Sequence, residues 1–345
     1  MQMECKLEKQ QLPRGNCLTI TKQNTREHAC MVTLRKNNGQ FDRLIKSHHL
    51  SRPEDYYSVY QSGCNHDCLK CHSSEFSKEV NGTWISTDYL AEIAKDYSQY
   101  VTVKEPKDRA TMWHAEDLCY HCGSCVMSGR RSQYCPNKVT PSQIMLSPQG
   151  LGPARNILAF TGGDLTCNPE YYAEATRKIK EATNNEMLVL VESNGYALTR
   201  ENLEILKEGG VDSYWLDIKA FDNDVYKKLC GTPNKTVLES LEHIVNLDFT
   251  VEVLTLFIPD MVETDQHKHI AKLIADLNVE IPITLLAFFP SYKLLDTRKP
   301  TFDEMMESYN IMKGEGLKNI RLGNIGVFAE TEEHFEKIFE LRKNR

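Results

Sequence analysis

The sequence predicts an α/β protein: a partial (β/α)6 barrel with a small β-rich N-terminal extension and an inserted cysteine-rich metal-binding segment. Three observations carry this prediction. Strand-like and helical patterns alternate from Asn156 to the C-terminus, which is the signature of a parallel sheet with helices outside it. The run GCNHDCLKCH directly follows a strand-like stretch, Tyr56 to Gln61, and so marks a further βα unit. A polar stretch, 101–152, interrupts the alternation and holds its own cysteine group.

The elements follow in order. Residues 1–55 read as the extension, with β-like runs at Cys17 to Thr21 and Ala29 to Leu34 and a hairpin turn at Asn37-Asn38-Gly39. The barrel is expected over 56–345, with 101–152 inserted as the auxiliary metal segment. A helix is expected from Thr87 to Tyr97 on the stripe Leu90, Ile93, Ala94. Strands are expected at Asn156 to Phe160, Met187 to Glu192, Ser213 to Ile218, Val251 to Phe257, Pro282 to Phe288 and Asn319 to Leu322. Helices fall at Asn168-Pro169 onward, Arg200 to Glu208, Lys235 to Leu247, Thr264 to Leu277, Phe302 to Gly314 and Glu332 to Lys343. Thr301 and Glu304 fit a capping box.

The net charge of −7, without a block of basic residues, argues against nucleic acid and against an anionic membrane as partners. The start MQMECKLEKQ has no apolar core and no long apolar run follows, so neither a signal peptide nor a membrane span is expected, and the location expected is cytoplasmic. Of the 12 cysteines, seven stand at metal-ligand spacings. Cys5, Cys17, Cys30, Cys167 and Cys230 show no such rhythm, and ordinary packing is expected of them.

Cys64, Cys68 and Cys71 put three thiolates on one loop at spacings x3 and x2. A closed iron-sulfur or zinc site takes four ligands, so one metal corner stays open for a substrate or cofactor. A zinc knuckle borrowing a distant ligand is the bland alternative. The second group, Cys119-x2-Cys122-x2-Cys125-x9-Cys135-Pro136, supplies four thiolates and closes its site; a 4Fe-4S cluster or mononuclear iron or zinc fits it. His48 and His49 could be ligands, but adjacent histidines on a polar segment are expected to be solvated; His267 and His269 lack the i, i+4 spacing of a metal site. His114 beside Trp113, and His121 within the cysteine group, are read as hydrogen-bonded structure or as ligands.

The Cys64 loop together with Thr161-Gly162-Gly163-Asp164 after a second strand resembles the radical S-adenosylmethionine (SAM) superfamily. From Tyr56 onward the chain is most similar to its pyruvate formate-lyase-activating-enzyme branch, on GCNHDCLKCHSSEFS, FTGGDLTCNPEYY, ESNGYALT, LDIKAFDNDVYKKLCGTPN and GLKNIRLGNIG. The resemblance implies a 4Fe-4S cluster on Cys64, Cys68 and Cys71, SAM on its fourth iron, and a 5′-deoxyadenosyl radical. It implies SAM contacts from Gly162, Gly163, Asp164, Ser193, Asn194, Asp217 and Lys219; a structural ion pair is the alternative for Asp217 and Lys219. The family usually has Glu where Asp164 stands, and an aromatic residue where Lys70 stands.

Two enzymatic readings follow from the resemblance, both with a protein substrate and an electron donor as partners. In one, the segment MWHAEDLCYHCGSC and the His-Ser-Ser after the loop resemble a methanogen enzyme that C-methylates a glutamine of methyl-coenzyme M reductase with cobalamin. No cobalamin motif or cobalamin domain accompanies it. In the other, the chain activates a glycyl-radical enzyme. A non-catalytic iron-sulfur electron carrier is a third reading, and it leaves the open corner and the Gly-Gly-Asp loop without a role.

Overall fold

The computed structural model describes residues 5–343, so the first four residues of the expected extension and the last two of the chain lie outside it. Its main sheet has ten strands. They are β1 (Leu34–Asn37), β2 (Gln40–Leu50), β3 (Tyr57–Gln61), β4 (Thr83–Ser86), β5 (Ile157–Gly162), β6 (Leu188–Ser193), β7 (Ser213–Asp217), β8 (Thr250–Phe257), β9 (Ile283–Ala287) and β10 (Ile320–Gly323).

β3 and β5 to β10 form the parallel barrel wall in chain order. The register runs Tyr57 to Leu158, Leu188 to Ile157, Ser213 to Thr250, and Ile283 to both Val253 and Ile320. These strands read as nearly unbroken apolar runs because both faces are covered. β3 and β10 do not pair with each other, so the barrel is partial. The free edge of β3 takes β2 antiparallel, from Ile45 opposite Gln61 to Leu50 opposite Tyr57. The long N-terminal strand thereby continues the barrel sheet, with β1 and β4 paired to it.

The outer layer begins with α1 (Thr87–Ser98), whose Ser86 cap accepts from the Tyr89 amide and whose Leu90, Ile93, Ala94 and Tyr97 turn inward. α2 (Pro169–Ala182), α3 (Arg200–Glu208), α4 (Asn223–Cys230), α5 (Lys235–Asn246), α6 (Thr264–Leu277), α7 (Phe302–Gly314) and α8 (Glu332–Lys343) follow. The Thr301–Glu304 capping box forms as expected. Among the described residues no helix is long and apolar enough to cross a membrane.

Some elements differ from the expectation; β4, paired to β2, has no counterpart in the sequence analysis. Ala29–Thr33 is a short helix, not a strand, held where Thr33 Oγ1 donates to the Ala29 carbonyl at 2.7 Å. α4 is absent from the sequence reading although its ends are marked, by Asp222 capping the Asp224 and Val225 amides and by Gly231 in the left-handed region at φ 78°.

The stretch 101–152 crosses the N-terminal ends of the barrel strands. Ser213 Oγ donates to the Ala110 carbonyl at 2.5 Å and Thr250 Oγ1 to the Lys107 carbonyl at 2.9 Å. Trp113 enters the barrel, where its amide donates to Glu252 at 2.6 Å, and Glu252 pairs with buried Arg321 at 2.9 Å.

Candidate functional site

The candidate site collects at the carboxyl ends of β3, β5, β6 and β7, where a barrel places its variable loops. Gly163 is the close-packed point. Its amide donates to the Gln61 carbonyl at 2.8 Å, and a Cβ added there would stand 2.1 Å from the Gly63 carbonyl oxygen. Gly162 sits at φ 86°, and a Cβ on it would meet the Phe76 ring at 2.6 Å. Since the obstacle to Gly163 is backbone, a Gly163→Ala variant must displace the cluster loop. We expect it to lose most of its iron and sulfide on reconstitution and to cost roughly 1–3 kcal/mol in urea unfolding.

Asp164 is buried and fully engaged by the protein. Its Oδ1 accepts from the Thr166 amide and hydroxyl, both at 2.8 Å, and its Oδ2 from Ser193 Oγ at 2.6 Å and the Asn194 amide at 3.0 Å. A carboxylate has about four acceptor positions, so this one is saturated. Asn194 Nδ2 then donates to Asn65 Oδ1 at 2.6 Å and reaches Cys64 Sγ at 3.8 Å. The Asn65 amide closes the ring by donating to the Asp164 carbonyl at 2.9 Å. Cys64, Asn65, Asp164, Ser193 and Asn194 are thus one hydrogen-bonded unit.

Asp217 and Lys219 are joined as an ion pair, with Lys219 also in the field of Cys68 and Cys230. Lys70 lies over the Phe289 ring, 3.7 Å from its centroid. Burial, then the nearby Lys219 charge, pull its ammonium down to about 8. An aromatic face is therefore present beside position 70, supplied by a distant loop.

The three thiols of the loop differ. Burial pushes Cys64 up to about 11. Cys68 is held well below the ordinary thiol range because Cys230 donates to it, with His66 adding to the effect. His66, Cys68 and Cys230 place their ligand atoms within 4.8 Å of one another. Cys71 Sγ lies 3.2 Å from Ser77 Oγ. The Lys78 ammonium, bonded to the His66 carbonyl and 3.4 Å from Asp67, stands in the field of all three thiols.

The sequence reading missed two residues here. Arg43 is fully buried and one of its terminal nitrogens donates to the Ser62, Gly63 and Gly163 carbonyls at 2.9, 3.2 and 3.2 Å. It ties both loops from below. Lys78 is the other, and neither carries a motif; their positions follow from β2 running antiparallel to β3 and from the short helix Ser74–Ser77.

Cys119, Cys122, Cys125 and Cys135 all line one small cavity with Leu118 and Val139. Two donors face its sulfurs: the His121 amide to Cys119 at 3.3 Å and Arg131 to Cys135 at 3.4 Å. His121 is a structural residue, its Nε2 at 2.9 Å from Asp55. His114 likewise pairs with Asp117 at 2.9 Å, and His48 with Tyr57 at 2.8 Å. His267 is buried against Ser308, and burial lowers it to about 4, leaving it neutral. A cavity of about 500 Å³ joins the barrel interior at Trp215, Thr284 and Arg321 to Cys119 and His121.

Glu192 lies deeper, bonded to Thr161 and 2.9 Å from Tyr56 Oη. Burial pushes its carboxyl up to about 8. The folded protein therefore holds a proton there that the unfolded chain releases in the ordinary glutamate range. The stability this contributes is complete at low pH and is lost as pH rises toward about 8. Urea titrations across that window should show a loss of up to about 1.4 kcal/mol per pH unit that Glu192→Gln removes. A Glu192→Gln profile parallel to that of the native protein would contradict this.

The model of the radical SAM superfamily matches residues 118–274, a span that contains the second cysteine group and the Gly-Gly-Asp loop but begins after Cys71. An uncharacterized protein of Methanocaldococcus jannaschii is 32% identical over 215 residues, 60% of each chain. A protein of the same organism, provisionally named a glycyl-radical enzyme activating enzyme, is 26% identical over 45% of this chain and 58% of its own. The chain thus spans less than two thirds of the length of these curated relatives. A domain of a pyruvate-formate lyase-activating enzyme from Bacteroides vulgatus covers 48% of this chain and 98% of its own, at 19% identity and a TM-score of 0.40. The matched residues include β5 to β8 of the parallel barrel wall, so this stretch is similar to a radical SAM domain.

Proposed function

We propose that this radical SAM enzyme abstracts hydrogen from the α-carbon of a residue in a protein substrate, and that the product is a C-methylated glutamine of methyl-coenzyme M reductase. The observation that carries the hydrogen abstraction is the single hydrogen-bonded unit linking the three-thiol loop to Asp164, Ser193 and Asn194. A radical SAM domain implies a 4Fe-4S cluster and SAM, which when bound supply one-electron cleavage of SAM and a carbon-centred oxidant.

The residues fit both groups. Cys64, Cys68 and Cys71 would hold the cluster, and the Lys78 ammonium offsets negative charge on their sulfurs. Gly162 and Gly163 let their loop close against Phe76 and the Gly63 backbone, and Asp164 fixes Ser193 and Asn194, which would contact SAM. Lys219, neutralised by Asp217, closes the floor beside Cys68. Cys119, Cys122, Cys125 and Cys135 would hold a second metal group, a 4Fe-4S cluster on the ferredoxin-like spacing, or else mononuclear iron or zinc. Its cavity adjoins the barrel interior, which suits electron delivery from a donor.

Methylcobalamin, the methyl source of this reading, finds no dedicated cradle among the described residues. The histidine lining the 500 Å³ cavity is committed to Asp55, and Arg321 to Glu252. A second reading, activation of a glycyl-radical partner, is favoured by the relatives named as activating enzymes, including the 4-hydroxyphenylacetate decarboxylase activating enzyme of Clostridium scatologenes, 29% identical over 25% of this chain.

Protein purified anaerobically from cobalamin-supplemented cells separates the readings. With SAM, reductant and a glutamine-containing reductase peptide, a gain of one methyl by mass spectrometry is expected. A glycyl-radical signal on a partner, with no cobalamin bound, would replace methylation by activation. Absence of SAM cleavage by protein with an intact cluster would defeat both.

A further inference from the structure

Cys230 has no metal-ligand rhythm in the sequence, yet the fold sets it against the middle cysteine of the open loop. The last carbonyls of α4 lack helical donors, because Cys230 ends the helix and Pro233, four residues beyond Leu229, has no amide hydrogen. They accept from the cluster loop instead, the Leu69 amide donating to the Leu229 carbonyl at 2.7 Å and the Asp67 amide to the Cys230 carbonyl at 3.0 Å. Cys68 stands between these two donors, so its backbone is pinned on both sides to the helix end that carries Cys230. Gly231 then turns the chain at φ 78°, and Thr232 Oγ1 comes to 2.8 Å from His66 Nε2.

The side chains converge as the backbones do. His66, Cys68 and Cys230 are the one trio of potential ligand groups among the described residues whose ligand atoms lie within 4.8 Å of one another. Their exposures are 0, 7 and 0%, so the trio is closed to solvent. The His66 ring is held between Tyr196 and Tyr226, whose centroids are 5.4 and 5.8 Å away. Thr232 takes its Nε2, and Nδ1 is buried with no hydrogen-bond partner. An unpartnered buried nitrogen calls for a partner, and Cys68 as a cluster thiolate is the acceptor this trio offers. Facing a thiolate, Nδ1 carries the ring proton and the Thr232 hydroxyl donates to Nε2. The Cys230 thiol is the second donor to the same sulfur.

We propose that Cys230 and His66 are positioning residues for the SAM-binding cluster, which donate hydrogen bonds to the Cys68 sulfur and thereby raise the cluster's reduction potential. Hydrogen bonds to cluster sulfurs act in this direction because they stabilise the added negative charge of the reduced state. In a site closed to water each such bond is stronger than in solvent. Neither residue needs to ligate iron or to touch SAM. The inference rests on the reading of Cys64, Cys68 and Cys71 as cluster ligands.

The test is a potentiometric titration of anaerobically loaded, full-length protein, followed by the EPR signal that changes on adding SAM, so that the second metal group does not contribute. In Cys230→Ala the ratio of reduced to oxidised cluster at the native midpoint should fall about tenfold, about 59 mV for one electron, with iron and sulfide contents unchanged. Cys230→Ser keeps a donor at this position and should recover most of that loss, which a merely space-filling cysteine does not predict. An unchanged ratio in Cys230→Ala, or a shift that serine does not reduce, overturns the proposal. If Cys230→Ala does not take up its cluster, His66→Phe decides, since it keeps a ring between Tyr196 and Tyr226 and removes only the donor. Its ratio should fall in the same direction, and an unchanged ratio overturns the role of the pair. Native protein with no SAM-responsive signal would remove the cluster reading itself, whereas a signal whose potential ignores both residues removes this inference alone.

Discussion

Replacing Asp164 with asparagine should weaken SAM binding at least tenfold while leaving most of the cluster in place. Both carboxylate oxygens are occupied by protein donors, two of them backbone amides. Asparagine presents an NH2 group to one of those pairs. The hydroxyl in the pair can rotate away, but the amide cannot, and a buried unsatisfied donor costs about 1–3 kcal/mol. The loop from Ser193 to Tyr196 then loses its anchor, and with it the Asn194 contact to Asn65 and Cys64. Asp164→Glu distinguishes this role from simple charge pairing. A residue that only faced the amino group of SAM would work as glutamate, as in the family this chain resembles, whereas an organiser in a closed pocket does not tolerate the added methylene. SAM affinity measured by equilibrium binding to cluster-loaded protein checks both variants; native affinity in Asp164→Glu would show that the carboxylate is not the organiser.

The second large effect falls on Arg43. Its guanidinium has no exposure and one nitrogen holds three carbonyls, those of Ser62 and Gly63 before the cysteine loop and that of Gly163. Arg43→Ala leaves these oxygens without their donor and opens a cavity over Tyr171, whose ring centroid lies 5.8 Å from the guanidinium carbon. A buried acceptor left without its donor costs about 1–3 kcal/mol, and the cluster loop is the part held by these bonds. Unfolding should therefore shift together with iron content. Full iron content with an unchanged unfolding midpoint in Arg43→Ala would refute the clamp.

How much of this was legible beforehand depends on the range of the interaction. Helix ends were read within a residue or two where a cap stood next to the helix it caps, as at Thr301 with Glu304. The same logic marks Asn223–Cys230, between the Asp222 cap and Gly231. Ala29–Thr33 was misread because five residues carry too little periodicity to separate helix from strand.

The sequence by itself determined the alternation of strands and helices, the cysteine spacings and the glycine pair, because backbone preference and ligand spacing act within a few residues. Tertiary structure decided what those residues touch. Only strand order and register bring Arg43 under Gly163, direct both oxygens of Asp164 into the protein, and set Lys70 against Phe289.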